Sequence, residues 1–293
     1  MNDYFGYGGT VAVVTGAASG MGKATATMLV DLGADVYALD WAQVDVPGVK
    51  AAIHTDLSDK MSIDAAFAQI PDHIDSFFGI AGVSGSNCDF LTTTKIDLIA
   101  NKYICEKILP DRMDAGGAIA FITSTGGVGW ELDGNKQVYL PVVQADGWDD
   151  AVAAVEQSVL AHLPGTLGYP FSKMAMNYYV AQLQATYAAR GIRVNAVLPG
   201  STASGLSDEF AQMSGGEESL TKHNGYSNRL ATPEEMAAPV VFLNSAMASD
   251  ISGELMIVDY GYTIERTAGI VQEPPIVFSA IIEHIMKAAQ GGA

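Results

Sequence analysis

From residue 10 to residue 82 the chain alternates between two patterns of apolar and polar positions. Short runs rich in β-branched and aromatic residues are followed by glycine-marked turns and then by longer stretches with helical spacing. The short runs, which predict strands, are TVAVVT (10–15), DVYALD (35–40), AAIHT (51–55) and SFFGI (76–80). The helical stretches between them are GMGKATATMLVDLG and MSIDAAFAQI. This alternation predicts a parallel sheet with helices on both faces, the doubly wound α/β arrangement.

The same alternation continues to residue 259. It predicts helices over 93–113, 169–189 and 233–247, and the strands AIAFIT (118–123), RVNAVLP (193–199) and LMIVD (255–259). With the first four strands, these give about seven. We therefore expect residues 1–293 to form a single domain around one central sheet.

Two segments and a tail depart from this pattern. The first segment, 126–167, predicts an inserted helix with an acidic start, whose apolar face is formed by Val152, Val155, Val159, Leu160 and Leu163. The second, 200–232, is rich in Gly, Ser, Asn and Thr, and long connections of this kind are more often functional lids than plain links. We expect it to be a substrate loop. The tail, 262–293, contains the amphipathic stretch FSAIIEHIMKAA.

Charge and composition narrow the classes of partner. The formal net charge is −18, from 15 basic and 33 acidic residues, which opposes binding to nucleic acid or to an anionic membrane surface. The two cysteines, Cys88 and Cys105, and an N-terminus without a signal-peptide pattern favour a reducing cytoplasm. No apolar run approaches the roughly eighteen residues of a membrane span. We expect a small neutral or apolar ligand and no metal site.

A glycine-rich turn links the first strand to the first helix. The stretch TGAASGMGKA has glycines at positions 16, 20 and 22, with Ser19 and Met21 between them. Glycines here permit a tight turn and let phosphate oxygens approach the backbone N–H groups at the positive end of the helix. Three glycines alone are weak evidence for a ligand site, but their place between a strand and a helix predicts a dinucleotide site of the Rossmann type.

Asp40 ends the second strand, 18 residues after Gly22. A carboxylate at this position accepts hydrogen bonds from the ribose hydroxyls of the adenosine. A 2′-phosphate would meet its negative charge, and no arginine or lysine lies near Ser19 or Trp41 to offset it. The sequence therefore favours NAD over NADP. The alternative is that Asp40 is an ordinary turn residue at the end of a strand.

In order and spacing, the chain resembles the short-chain dehydrogenase/reductase family over nearly its whole length. The matching positions are Thr15-Gly16-x-x-x-Gly20-x-Gly22, Asp56-Leu57, Ala81-Gly82, Ser124, Tyr169-x-x-x-Lys173 and RVNAVLPG. The resemblance implies a Rossmann fold and a cofactor site. In it, Asp56 and Leu57 border the adenine, and Ala81 and Gly82 pass the cofactor ribose. Pro199 and Gly200, with Thr202 and Ser204, hold the nicotinamide amide.

The resemblance also implies the chemistry. Tyr169 exchanges a proton with the substrate oxygen while a hydride moves between the substrate carbon and the nicotinamide. A phenol has an ordinary pKa of about 10, so it needs a nearby positive charge to act as a base at neutral pH. Lys173, one helical turn on, supplies that charge, and Ser124 binds the substrate oxygen. Pro170 is expected early in the helix, where its missing N–H costs little.

Two positions depart from the family pattern. The family has an asparagine that holds a water near the lysine, and the spacing back from Ser124 assigns its place to Asp97, with Asn101 one turn later. We expect Asp97 to support Lys173, with a role as a helix cap as the alternative. The family's Asn-Ala-Gly is here Ile80-Ala81-Gly82, so the asparagine that fixes the backbone is absent.

The segment between Ser124 and Tyr169, which are 45 positions apart, is longer than in most of the family. With the short link from Gly82 to Asp97, it resembles the bacterial 3α-hydroxysteroid dehydrogenase/carbonyl reductase branch. The insertion either changes oligomer packing or covers the substrate pocket. The apolar side chains of the insertion could line such a pocket, and they could equally form a satellite core. These side chains are Trp130, Tyr139, Leu140, Val142 and Trp148.

The sequence thus predicts a cytoplasmic, homo-oligomeric NAD(H)-dependent oxidoreductase. Its expected substrate is a hydrophobic, cyclic secondary alcohol such as a steroid, bile acid or terpenoid, or the matching ketone. One alternative is a reductase of small carbonyls or quinones. Another, supported by Asp97 and Ile80, is an NAD(H)-responsive binding or regulatory protein without turnover.

Overall fold

The computed structural model describes residues 3–290, without the side chains of Ser214, Tyr226 and residues 288–290. These described residues form one seven-stranded sheet in which every neighbouring pair of strands is parallel. The strands are β1 (Val11–Thr15), β2 (Asp35–Asp40), β3 (Ala51–His54), β4 (Ser76–Gly79), β5 (Ala118–Ile122), β6 (Arg193–Pro199) and β7 (Leu255–Val258). Their order across the sheet is β3-β2-β1-β4-β5-β6-β7. The predicted doubly wound fold is confirmed.

Helices cover both faces of this sheet. They are α1 (Gly20–Asp31), α2 (Lys60–Phe67), α3 (Phe90–Thr94), α4 (Ala100–Tyr103), α5 (Asp133–Val143), α6 (Gly147–Glu156), α7 (Gly165–Ala188), α8 (Ser207–Ser214), α9 (Glu217–Lys222), α10 (Pro233–Asn244), α11 (Tyr262–Thr267) and α12 (Phe278–Gln290). A π-helical turn over Lys95–Ile99 joins α3 to α4, and a second one over Ile104–Ile108 extends it. No helix in the part of the chain described is long and apolar enough to span a membrane.

Alternate strand residues build two apolar cores, one on each face of the sheet. On β4, Phe77 packs with α2, α3, α4 and α7, whereas the next residue, Phe78, packs with α1 and α10. This is the period-two alternation expected of a sheet buried on both sides. Because all strands are parallel, their carboxyl ends meet at one edge, and the order reverses between β1 and β4. Ligands of doubly wound proteins bind at such a reversal.

The structure corrects two local predictions. Helix α7 begins at Gly165, not at residue 169, so Pro170 lies in its second turn and removes an N–H that would otherwise bond within the helix. The insertion contains two helices, α5 and α6, where one was expected, and α6 ends at Glu156. The rest of the predicted apolar face continues in a 3₁₀ turn over Val159–His162.

The aromatic residues of the insertion belong to the core. Tyr139, Val142 and Trp148 are buried in the same core as α7, and Trp130 and Leu140 pack against it. None of them lines the large cleft at the carboxyl edge of the sheet. The Tyr139 hydroxyl donates to the Trp130 carbonyl at 2.6 Å, which satisfies its polar group inside this packing.

Candidate active site

A cleft of about 990 Å³ runs along the carboxyl edge of the sheet. One end lies at Asp40, the last residue of β2, and the other at α11, which follows β7. It brings together most of the residues that the sequence nominated, and Asp97 lies behind its wall. The nominated residues that line it are Gly16, Ser19, Gly20, Met21, Gly22, Asp40, Trp41, Asp56, Leu57, Ala81, Gly82, Ser124, Tyr169, Lys173, Pro199, Gly200, Thr202 and Ser204.

The glycine-rich turn has the shape of a phosphate cradle. Gly16 has φ +73°, and a Cβ there would lie 2.8 Å from the Ala81 backbone. A Cβ on Gly22 would lie 2.0 Å from the Gly16 carbonyl oxygen, so side chains are excluded at both positions. Ser19 precedes α1 and makes no side-chain hydrogen bond to the helix, so the first N–H groups of α1 remain available to an anion. These features fit a dinucleotide pyrophosphate.

Asp40 holds the turn at the end of β2. Its Oδ2 accepts from the Ala18 N–H and its Oδ1 from the Ala42 N–H, both at 2.9 Å. A carboxylate has about four acceptor sites, so each oxygen can still accept a ligand hydroxyl. No lysine or arginine is present among the described residues that line this end of the cleft. Asp56 beyond it accepts from the backbone and the side chain of Ser58.

The backbone after β4 is held despite the absence of the family asparagine. The Thr15 hydroxyl accepts from the N–H groups of Ile80 and Ala81 at 3.0 and 3.2 Å. The same hydroxyl donates to the Phe78 carbonyl oxygen, with the two oxygens 3.4 Å apart. Thr15 therefore fixes this segment from the neighbouring strand.

The segment after β6 folds close to the glycine turn. A Cβ on Gly200 would lie 2.3 Å from Oδ1 of Asn224, so only glycine fits there. Further along, Ser204 is packed against Gly20, since a Cβ added to Gly20 would lie 3.4 Å from the Cβ of Ser204. Thr202 pairs with Ala231 in a short parallel bridge. This segment forms the wall of the cleft opposite α1.

Ser124, Tyr169 and Lys173 meet in the middle of the cleft. Ser124 follows β5, and its Oγ accepts from the Gly126 N–H at 2.9 Å. The Tyr169 side chain is half-buried, and the Ser124 side chain is close enough to lower the pKa of its phenol. The Lys173 ammonium donates to the Ile122 carbonyl at 3.3 Å and lies 5.3 Å from the centre of the Tyr169 ring. Both side chains lie on one face of α7, one turn apart.

Asp97 forms a buried ion pair with Lys173. Its Oδ2 lies 3.9 Å from Nζ of Lys173, and its Oδ1 accepts from the Val83 N–H at 2.8 Å. No described residue donates a hydrogen bond to Oδ2. Asn101, the other candidate, lies against Gly79 instead. Asp97 sits in the π-helical turn Lys95–Ile99, and such turns are frequent at functional sites.

The electrostatics of the three groups are coupled. Burial raises the pKa of Asp97 to about 6, with the Lys173 charge and the Val83 N–H opposing the rise. Burial lowers the pKa of Lys173, and Asp97 opposes this. Burial of the Tyr169 hydroxyl raises the pKa of the phenol well above 10. The Ser124 side chain lowers that pKa, and the Asp97 charge raises it further. Tyr169 thus needs positive charge in the cleft to become a base near neutral pH.

Two segments that the sequence did not nominate residue by residue complete the cleft. In the expected substrate loop, α8 places Phe210 against Tyr169, with ring centres 4.9 Å apart. Glu209 accepts hydrogen bonds from Ser84 and, at 2.8 Å, from Asn87. The acidic, amphipathic stretch SDEFAQM could have indicated this helix. The other segment follows α11 and has no such pattern.

Together the fold and the cleft define a dinucleotide-binding α/β protein with a serine, tyrosine and lysine at its centre. Two family models match the chain: "short chain dehydrogenase" over residues 10–133 and "Enoyl-(Acyl carrier protein) reductase" over residues 150–263. The NAD-dependent glycerol dehydrogenase of Listeria innocua is 30% identical over 87% of this chain and 94% of its own. The chain belongs to the short-chain dehydrogenase/reductase family, and it is an oxidoreductase acting on alcohol groups.

Two further similarities concern the branch that the sequence suggested. The 3-alpha-hydroxysteroid dehydrogenase/carbonyl reductase of Comamonas testosteroni is 25% identical over 86% of this chain and 96% of its own. The solved 3-alpha-hydroxysteroid dehydrogenase from Pseudomonas sp. B-0831, complexed with NADH, superimposes with a TM-score of 0.71 at 23% identity. That match covers 90% of this chain and 100% of the other. The chain resembles this branch of the family.

Proposed function

We propose that this protein interconverts a hydrophobic, cyclic secondary alcohol and its ketone, with NAD(H) as cofactor. The observation that supports this most is the meeting of Ser124, Tyr169 and Lys173 in a cleft that also contains a phosphate cradle. Bound NAD supplies the hydride acceptor or donor at its nicotinamide ring. The protein's own residues supply the proton transfer and the orientation of the substrate.

Each of the three residues has a distinct role in this proposal. Ser124 donates a hydrogen bond to the substrate oxygen and holds it beside the Tyr169 hydroxyl. Tyr169 takes the proton from the alcohol, or returns it to the ketone. Lys173 stabilises the phenolate by its charge, and its contact with the Ile122 carbonyl fixes its position. Asp97 maintains the charged form of Lys173, because the two lie 3.9 Å apart with both side chains buried.

The choice of NAD over NADP rests on Asp40. Its carboxylate lines the end of the cleft that would hold the adenosine ribose, and the described lining at this end offers no cation for a 2′-phosphate. Asp56 and Leu57 would border the adenine, and Ala81 and Gly82 the ribose near the nicotinamide. Pro199, Gly200, Thr202 and Ser204 would hold the amide of the nicotinamide.

Apolar residues in the lining of the cleft support the substrate class. They include Val128, Leu206, Phe210, Leu220 and Ile276, and the ring of Phe210 packs against Tyr169. Such a surface favours a ring system over a small polyol. The hydroxysteroid dehydrogenases among the relatives are named for substrates of this kind. We propose further that the protein is a cytoplasmic homo-oligomer.

A panel of alcohols tests this function. The purified protein would be assayed with NAD and a steroid, a terpene and a simple alcohol by NADH absorbance. We expect turnover of a cyclic secondary alcohol, reduced about 100- to 10,000-fold in Tyr169→Phe. Tyr178→Phe, on the same helix but outside the cleft lining, is the matched control. Near-normal turnover by Tyr169→Phe would refute the mechanism, and silence across the panel despite tight NAD binding would favour a regulatory protein.

A further inference from the structure

A segment between α11 and α12 forms part of the cleft wall. Residues 271–277, here termed the C-terminal strap, have no regular secondary structure. Glu273, Pro274 and Ile276 of the strap line the cleft. The strap therefore lies against the site from a part of the chain that is about 100 residues beyond Tyr169.

The strap is held at one end by Glu273. Its carboxylate accepts from the Tyr262 hydroxyl at 2.8 Å, and its backbone carbonyl accepts from Nε of Arg266 at 2.8 Å. His223, which follows α9 in the substrate loop, lies 3.6 Å from the same carboxylate. This anchor joins the strap to α11 and to the substrate loop at once.

The other end is held by the insertion. Asn135 of α5 is buried, and its Nδ2 donates to the carbonyls of Ile276 and Gly129 at 2.8 and 2.9 Å. Its Oδ1 accepts from the Phe278 N–H at 2.7 Å. One side chain thus fixes the end of the strap, at Ile276, and the first residue of α12, Phe278. Phe278 is itself buried, and its ring packs on Phe171 of α7 with the centres 5.9 Å apart.

The order of the strands places the strap on the substrate side of Tyr169. Asp40, the last residue of β2, marks the adenosine end of the cleft, and Ser124, which follows β5, lies in the middle with Tyr169 of α7. The strap meets α11, which follows β7 at the opposite edge of the sheet. A dinucleotide that runs from Asp40 to Tyr169 leaves this last part of the cleft for the far end of the substrate.

We propose that the C-terminal strap is the distal wall of the substrate site, and that Asn135 is the positioning residue that keeps it there. This inference rests on the proposed alcohol oxidation. It gives the insertion a task in substrate choice although its aromatic residues do not reach the cleft. A long, rigid alcohol contacts the strap through Pro274 and Ile276, whereas a single-ring alcohol fills only the space beside Tyr169.

The test compares Asn135→Ala with Gln137→Ala, an exposed neighbour on the same helix. Hydrogen–deuterium exchange over residues 271–280 reports on the strap without any need for turnover. We expect exchange there to be at least about tenfold faster in Asn135→Ala, because the strap loses its hydrogen bonds to the insertion. Exchange equal to that of the control would overturn the positioning role.

Kinetics with cyclohexanol and with a 3α-hydroxysteroid then show whether the strap contacts the substrate or only stabilises the fold. In Asn135→Ala we expect KM for the steroid to rise about fivefold or more, with kcat and both constants for cyclohexanol unchanged. Glu273→Ala removes the contacts of the strap with Tyr262 and His223, so it should raise the steroid KM in the same way. Faster exchange with an unchanged ratio of the two KM values would overturn the distal wall.

Failure of the proposed function has a different signature. If the wild-type protein oxidises no alcohol, calorimetric titration of its NADH complex with the same steroid replaces kinetics. Binding that weakens about fivefold or more in Asn135→Ala would support the strap as the wall of a steroid site, while the proposed alcohol oxidation would be refuted. No binding to the wild type, or equal binding by both proteins, would overturn the strap.

Discussion

The two ends of the cleft are built in different ways. At the adenosine end, groups closer in sequence make the site: the hydrogen bond from the Ala18 N–H to the Asp40 carboxylate joins residues 22 positions apart. At the substrate end, side chains from distant segments meet: Ser84 and Glu209 are 125 positions apart, and Asn135 and Ile276 are 141 apart. One end is a local motif and the other is a tertiary assembly. Substitutions at the two ends should therefore differ in what they disturb.

The largest effect on stability is expected from Thr15→Val, at the end of β1 where the glycine turn begins. Valine keeps the shape but removes the acceptor of two backbone N–H groups, those of Ile80 and Ala81. Leaving buried donors unpaired costs about 1 to 3 kcal/mol each, so the free energy of unfolding should fall by about 2 kcal/mol or more. Urea unfolding measures this loss.

Thr10→Val is its control, since the Thr10 hydroxyl only donates to the Tyr7 carbonyl at the part-buried edge of the fold. It should cost less than about 1 kcal/mol. Equal losses in the two variants would show that the backbone after β4 does not depend on Thr15.

Asp40→Asn should change cofactor preference about tenfold without unfolding the turn. The amide retains an acceptor for the Ala18 N–H but loses the negative charge that opposes a 2′-phosphate. We expect the ratio of the NADP to the NAD dissociation constant to fall by about that factor, measured by titration of cofactor fluorescence.

The control for Asp40→Asn is Asp35→Asn, at the other end of β2, where the carboxylate pairs with Lys50 at 3.1 Å. An unaltered ratio in Asp40→Asn would leave Asp40 as a turn residue only. Comparable binding of NADP and NAD by the wild type would contradict its proposed role directly.

How far sequence reasoning reached follows the same division. The strands and the glycine turn were predictable because alternation and glycine positions are local patterns, and Asp97 was assigned from the spacing in the family that the chain resembles. The start of α7 was wrong because Pro170 suggested a first turn, while packing extends the helix back to Gly165. The contacts of Glu209, Phe210 and the C-terminal strap were not predictable, since each depends on which distant segment it meets.

Asp97→Asn tests the centre, where the two ends meet. The Asp97 charge raises the pKa of Tyr169 and of Lys173, so its removal should lower the pKa of Tyr169 over the pH range in which Lys173 remains protonated. For alcohol oxidation, the pH of half-maximal kcat/KM should move to lower pH by on the order of one unit. Because the pKa of Asp97 is raised to about 6, the wild type and the variant should converge as pH falls below that value and Asp97 becomes neutral.

Asp133→Asn, whose side chain is fully exposed on α5, controls for a general change of charge. Its profile should match that of the wild type. If the Asp97→Asn profile also matches at every pH, Asp97 acts as a structural acceptor for the Val83 N–H and not through its charge.

The smallest effect is expected from Glu209→Gln at the substrate end. Glutamine still accepts from Ser84 or Asn87 but without the charge that strengthens both hydrogen bonds, so α8 should be held less firmly over Tyr169. We expect KM for the alcohol to rise about threefold with cofactor affinity unchanged, because the adenosine end is built separately. Glu218→Gln, exposed in the same loop, should alter neither. A matching loss of cofactor affinity in Glu209→Gln would show that the two ends of the cleft are coupled through α8 and are not built independently.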